Sequence, residues 1–231
     1  MTKKIWEMSA LQAHELLEKK EISASEILEI SIERIEEVDG DLNALPERCF
    51  ARAREVANNI DKDSSSKFQP NLLGLPIAVK DYNDLSGVRT TYGSTIFKNN
   101  IPKDSDRTIK LLERNGANPV AKSNVPEWAG GHTFNPVNGL TRNPWDISKS
   151  AGGSSGGSAS ALASGQVFLA TGNDLGGSLR TPAGFNGVVG FRPSPGLIPR
   201  GDRYMPFDTL WVEGPMARNV EDIALMLDSM V

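Results

Sequence analysis

Two glycine-serine runs and one lysine carry the chemistry this chain offers. The runs are 152-GGSSGGSAS-160 and 172-GNDLGGSLR-180, and the lysine is Lys80 in 74-GLPIAVKD-81. Ser154 and Ser155 stand between pairs of glycines, and Ser178 directly follows Gly176 and Gly177. Glycine turns the backbone through positive φ and lets other atoms approach it closely. A serine after such a turn can expose its hydroxyl while nearby backbone N–H groups converge on one point. A nucleophile beside an oxyanion hole needs that arrangement. A Gly-Gly bend kept only for packing, its serine bonded locally, reads the same way. Lys80 can act as a base only if it is held neutral. Its ordinary pKa of about 10.4 must fall, and burial or a neighbouring cation lowers it. It ends the apolar run Ile77, Ala78, Val79, so its side chain points either into an interior or, as a plain strand-end lysine, to solvent.

Other readings of the same residues are weaker. A flexible Gly/Ser linker fits the composition, but the first run is short. It lies between an apolar-aromatic stretch (Pro144, Trp145, Ile147) and a helix of small residues. A P-loop needs lysine and Ser/Thr after its last glycine, whereas Ser158 and Ala159 follow Gly157. A G-x-G-x-x-G turn is missing as well. Of the two histidines, His14 has no motif around it. His132, in 130-GGHTFNP-136, is a pocket-lining candidate or an ordinary loop histidine, so a Ser-His-Asp triad has little support.

The elements that must position these residues follow from pattern. A helix is predicted over Ser9 to Lys20, with Leu11, Leu16 and Leu17 on one side. A second follows Ser23, where Ser23 and Glu26 fit a capping box. In it Leu28, Ile32 and Ile35 form a buried stripe that Gly40 ends. Pro46 to Ile60 reads as a third helix and 61-DKDSSSKFQPN-71 as an exposed loop. Short apolar strands are predicted over Ile77 to Val79, Pro119 to Lys122, Val167 to Thr171 and Val188 to Phe191. Helices are predicted over Asp106 to Asn115, Ser158 to Ser164 and from Asn219 onward. Asn124 to Gly157 is rich in Gly, Asn and Pro. Such alternation argues for an α/β layered fold with a sheet buried on both faces.

Composition bounds the rest. The 231 residues are 39% hydrophobic and 23% charged, ordinary for a globular protein. A net charge of −4 gives no basic stripe, so no direct nucleic-acid partner is expected. There is no apolar run of about 18 residues to span a membrane, and MTKKIWEMSALQ lacks a signal-peptide core. The single cysteine, Cys49, fits a reducing cytoplasm, and with two histidines it leaves no expected metal site. The last helix stops at Val231 without a stop signal, which suggests the N-terminal part of something longer.

The strings GLPIAVKD, TRNPWDISKSAGGSSGGSASALASG and GNDLGGSLRTPAGFNGVVGFRPSPG resemble the amidase signature family. So do 121-AKSNVPEW-128 and 214-GPMARNVEDIALMLD-228. The resemblance implies one domain over 1–231, with a helical region to about residue 60 and a catalytic core from about residue 72. Its fold would be a mixed twisted sheet sandwiched between helices. It implies Ser178 as nucleophile, Lys80 as base, and between them Ser154, whose preceding peptide bond is cis in the family. Ser155 matches a supporting serine, and Asp174 and Arg180 would hold the nucleophile turn. The N–H groups of Leu175, Gly176, Gly177 and Ser178 would form the oxyanion hole, and Asn124 and Thr133 the near side of the pocket. No cofactor is implied.

The family commonly has Thr where Leu175 stands, but only the backbone N–H is needed there. Members are usually about twice as long, their C-terminal half completing the sheet and the acyl pocket. The expectation is therefore a hydrolase of small-molecule amide C–N bonds, acting through an acyl-enzyme. The glutaminase subunit of a tRNA-dependent amidotransferase is the alternative within the family, although Thr181 is not the glutamine associated with that branch. A truncated inactive homologue and an esterase remain open, as does a homodimer or a partner subunit.

Overall fold

The computed structural model describes residues 4–62, 71–201 and 208–231. The loop expected over 61–71 falls largely outside these. The chain opens with helices α1 (Ala10–Glu18) and α2 (Ala24–Leu42), strand β1 (Glu47–Arg48) and helix α3 (Phe50–Lys62). Strand β2 (Pro76–Lys80), helix α4 (Arg107–Arg114) and strand β3 (Asn118–Ser123) follow. Two small hairpins occupy the Gly/Asn/Pro-rich stretch, β4 (Phe134–Asn135) with β5 (Gly139–Leu140) and β6 (Arg142–Asn143) with β7 (Asp146–Ser150). The remainder is helix α5 (Gly156–Ala163), strand β8 (Leu169–Asp174), helix α6 (Arg180–Asn186), strands β9 (Val189–Gly190) and β10 (Val212–Ala217), and helix α7 (Val220–Asp228).

One six-stranded mixed sheet runs in the order β1-β3-β2-β8-β10-β9. β2 is central and parallel to both β3 and β8, while β10 pairs antiparallel with β8 and β9. Alternation along β2 separates two cores. Ile77 and Val79 pack with Leu17 of α1, Ile109 and Leu112 of α4 and Met226 of α7. Ala78 packs on the other side with Leu28 of α2, Ala53 of α3, Leu162 of α5 and Ala183 of α6. Helices therefore cover both faces, and period two puts Lys80 on the side of Ala78, towards α5.

The capping boxes form at Ser9 with Gln12 and at Ser23 with Glu26. Four elements differ from the sequence expectation. α2 continues through Gly40 because the end is made further on. Asn43 takes a left-handed conformation, and the Asp39 carboxylate accepts the Ala44 N–H at 2.7 Å. α3 begins at Phe50 rather than Pro46, since residues 47–48 pair with β3 instead. α6 forms although it contains Pro182 and Gly184, the proline lying in its first turn, where its missing N–H costs nothing. β10 is a sheet-interior strand despite Gly214 and Pro215. No helix among the described residues is long and apolar enough to cross a membrane.

Candidate active site

Lys80 closes β2 with its side chain completely buried. Its Nζ lies 2.8 Å from Ser154 Oγ, 2.7 Å from Ser155 Oγ and 2.5 Å from Asn173 Oδ1. Burial disfavours the ammonium form and pulls the pKa down to about 7, against the opposing pull of the Glu213 and Asp174 carboxylates.

Ser154 and Ser155 sit immediately before α5, and the Gly153–Ser154 peptide bond is cis. The Ser155 N–H donates to the Ser178 carbonyl at 3.3 Å, which ties the two glycine-serine runs together. Ser154 and Ser178 line one cavity of about 340 Å³, together with Asn173, Leu175 and Gly176. No hydrogen bond among the described residues joins the Ser154 and Ser178 hydroxyls to each other.

Asp174, at the end of β8, organises the turn that carries Ser178. Its carboxylate accepts the Gly177 N–H at 2.8 Å and the Leu179 N–H at 3.1 Å. It also pairs with Arg180 and Arg192, each at 3.0 Å. Burial raises its pKa, but the Arg180 hydrogen bond and the two N–H donors outweigh that and hold it at about 2. Gly177 has φ +116°, and a Cβ there would press on Thr181 Oγ1, so the turn needs glycine. Of the four N–H groups expected at an oxyanion hole, one has a partner within the chain. The Gly177 N–H is committed to Asp174, which leaves the N–H groups of Leu175, Gly176 and Ser178 unbonded within the described residues.

Asn124 and Thr133 do not line this cavity. Both are buried and bonded to the first glycine-serine run, Asn124 through its backbone carbonyl, which accepts the Gly157 N–H at 3.2 Å. Thr133 Oγ1 donates to the Gly152 carbonyl at 2.8 Å and accepts the Gly156 N–H at 3.1 Å, so close that a Cβ on Gly156 would overlap it. Asn124 holds the Thr141 hydroxyl at 3.0 Å and the Gly139 carbonyl at 3.1 Å. His132 is not among the residues that line the cavity either, and its Nδ1 lies 2.9 Å from Ser150 Oγ.

Five residues at the site escaped the sequence reading: Asn173, Arg192, Glu213, Trp128 and Trp211. Asn173 and Glu213 face each other across the β8–β10 pair. Trp211 and Asn83 donate to the Glu213 carboxylate at 2.9 and 3.2 Å. Only the polar letters at the ends of apolar runs hinted at Asn173, and the Gly-Pro interruption hid Glu213. Among the described residues, no group of three or more His, Cys, Asp and Glu side chains could hold a metal ion.

Comparison with known proteins bears on this geometry. The chain is 40% identical over 221 residues to a glutamyl-tRNA(Gln) amidotransferase subunit of Cyanothece sp., covering 95% of the chain and 46% of the relative. It is 38% identical over 226 residues to the like-named subunit of Carboxydothermus hydrogenoformans, covering 97% of the chain and 47% of the relative. The chain thus spans about half the length of the curated relatives it matches. Its fold superposes on a bacterial aryl acylamidase of the amidase signature family with TM-score 0.90 and 32% identity, over 96% of the chain and 47% of that structure. A vestigial protein complex tied to the origins of an s-triazine catabolic enzyme gives TM-score 0.91 and 37% identity, over 96% and 50%. The amidase family model matches residues 26–231, and with the mixed sheet and helices described above the chain belongs to the amidase signature family.

Proposed function

We propose that the chain hydrolyses an amide C–N bond through an acyl-enzyme on Ser178, with Ser154 and Lys80 as proton relay. One observation carries the reading. A fully buried lysine, its pKa drawn down to about 7, lies 2.8 Å from a serine that shares a cavity with a second serine on a glycine turn. Neutral Lys80 takes the Ser154 proton as Ser154 takes that of Ser178, and Ser178 Oγ bonds to the amide carbon. The N–H groups of Leu175, Gly176 and Ser178 are the donors for the resulting oxyanion. Losing one such donor typically costs about 3–4 kcal/mol. The proton returns through Ser154 to the departing amine as the C–N bond breaks. Water then enters by the same relay, releasing the acid and restoring Ser178.

The test is release of amine or ammonia from a panel of amides, compared with Ser178→Ala. Turnover that vanishes with Ser178 supports the reading, and turnover that persists overturns it. The names of the curated relatives favour a second reading, the glutaminase subunit of an amidotransferase working with partner subunits. That reading predicts glutamine as the amide of choice and activity that rises when partner subunits are added.

A further inference from the structure

Trp128 and Trp211 both line the cavity that holds Ser154 and Ser178. They are the two visible ends of one chain of rings. Trp128 stacks on Tyr92 at 6.4 Å and 11°, and meets Phe97 edge-on at 5.6 Å. Tyr92 stacks on Tyr82 at 6.4 Å, and Tyr82 meets Trp211 edge-on at 6.2 Å. These are the offset-stacked and edge-to-face arrangements that aromatic quadrupoles favour.

The wall is held in place. Trp128 and Ala129 are consecutive non-glycine residues in the left-handed region, at φ 51° and 62°. Such strain persists only where surroundings enforce it, and it gathers at binding sites. Here the Tyr82 hydroxyl donates to the Pro126 carbonyl and accepts the Ala129 N–H, clamping the turn from both sides. Trp211 is fixed by its indole N–H donating to Glu213 at 2.9 Å. Even so, Trp128 lines the cavity and remains 56% exposed. No described residue lining the cavity is charged, and of its polar side chains Ser154 and Asn173 bond to Lys80. A charged substituent would lose its hydration there without a partner.

We infer that the cavity is an aromatic subsite, built for an uncharged amide whose own flat ring lies against Trp128 and Trp211 while its carbonyl reaches Ser178. This names a substrate class for the hydrolase proposed above and rests on that reading for the carbonyl's position. The ring contact is independent of it.

The test measures binding, not turnover, to the full chain carrying Ser178→Ala. Two matched pairs are titrated by calorimetry: benzamide against cyclohexanecarboxamide, and acetanilide against N-cyclohexylacetamide. Each pair differs only in whether the ring is aromatic, and the saturated ring is the more hydrophobic, so burial alone favours it. The expected result is that the aromatic member of at least one pair binds about threefold to tenfold tighter. That preference should disappear in Trp128→Leu and in Trp211→Leu, each variant first shown by its thermal melt to be folded. Saturated members binding as well in both pairs, or a preference that survives both substitutions, would overturn the inference. Glutamine binding more tightly than any of the four would overturn it too. If the pairs behave as expected but Ser178 proves dispensable for turnover, the ring site stands and the hydrolase reading falls.

Discussion

Asn173 Oδ1 lies 2.5 Å from Lys80 Nζ, and this contact fixes the direction of the lysine's lone pair. An amide oxygen only accepts, so one amine N–H goes to Asn173. The Ser155 hydroxyl has the Asn173 carbonyl as its acceptor at 3.5 Å, which leaves its oxygen to accept the second N–H at 2.7 Å. A neutral amine has no third N–H. When Lys80 is neutral, the remaining neighbour, Ser154 at 2.8 Å, is left as the donor to its lone pair, the polarity that the proposed relay requires. In the ammonium form the same three oxygens accept the three N–H groups, so loss of one proton is what turns Ser154 from acceptor to donor.

Asn173→Asp reverses that poise. A carboxylate at this distance favours the ammonium and raises the lysine pKa by about one to three units. The acid limb of the pH–rate profile should move up by the same amount, and the rate at pH 7 should drop about tenfold or more. A pH profile of Ser178 acylation checks it, and an unmoved limb would show that Asn173 does not govern the base.

Glu213→Gln should move the same limb the other way. Glu213 is buried opposite Asn173, its own pKa raised by burial, and its negative charge pulls that of Lys80 upward. Without the charge the lysine loses its proton more readily, and the limb should fall by on the order of one pH unit. Opposite shifts in two neighbouring variants separate electrostatic tuning from general damage.

Stability should carry the mark of Lys80 as well. Its folded pKa lies below the unfolded value, so between about pH 7 and 10.5 the unfolded chain binds the extra proton and stability rises with pH. Below that window the native state must bury a charge. Lys80→Met should therefore melt higher than the parent at pH 6, and the gain should shrink by on the order of 1 kcal/mol per pH unit towards pH 10. Thermal unfolding at several pH values measures this.

Asp174→Asn should loosen the nucleophile turn. It removes the charge that meets Arg180 and Arg192 and weakens the bonds from the Gly177 and Leu179 N–H groups. A loss of about 1–3 kcal/mol is expected. The parent shows the same dependence through pH. Because the folded Asp174 pKa is depressed to about 2, its contribution is present above about pH 4 and lost as pH falls through 2. Denaturant melts of parent and variant should converge at acid pH.

What the letters revealed and what they hid follow one physical rule. Ser154 and Ser178 stood out as serines in local glycine runs and Lys80 as a strand-end lysine, with roles that only the family resemblance implied; in the structure the two serines line one cavity and Lys80 bonds to Ser154. Helices α1, α2, α4 and α7 were legible from caps and apolar spacing. β10 was hidden because Gly214 and Pro215 break the period that marks a strand, and with it went Glu213 and Trp211. Asn124 and Thr133 were expected at the near side of the pocket; in the structure neither lines the cavity, and Thr133 bonds to the Gly152 carbonyl and Asn124 to Thr141. Asn173 depends on a side-chain contact 93 positions away in sequence, which no local pattern records.

The most direct test of the account is fluorophosphonate labelling of the folded chain, read by mass spectrometry, with Ser178→Ala and Lys80→Met alongside. The account predicts a single adduct on Ser178, formed at a rate that rises through about pH 7, absent in Ser178→Ala and strongly slowed in Lys80→Met. A folded chain that takes no label, or one labelled equally well without Ser178, would contradict it.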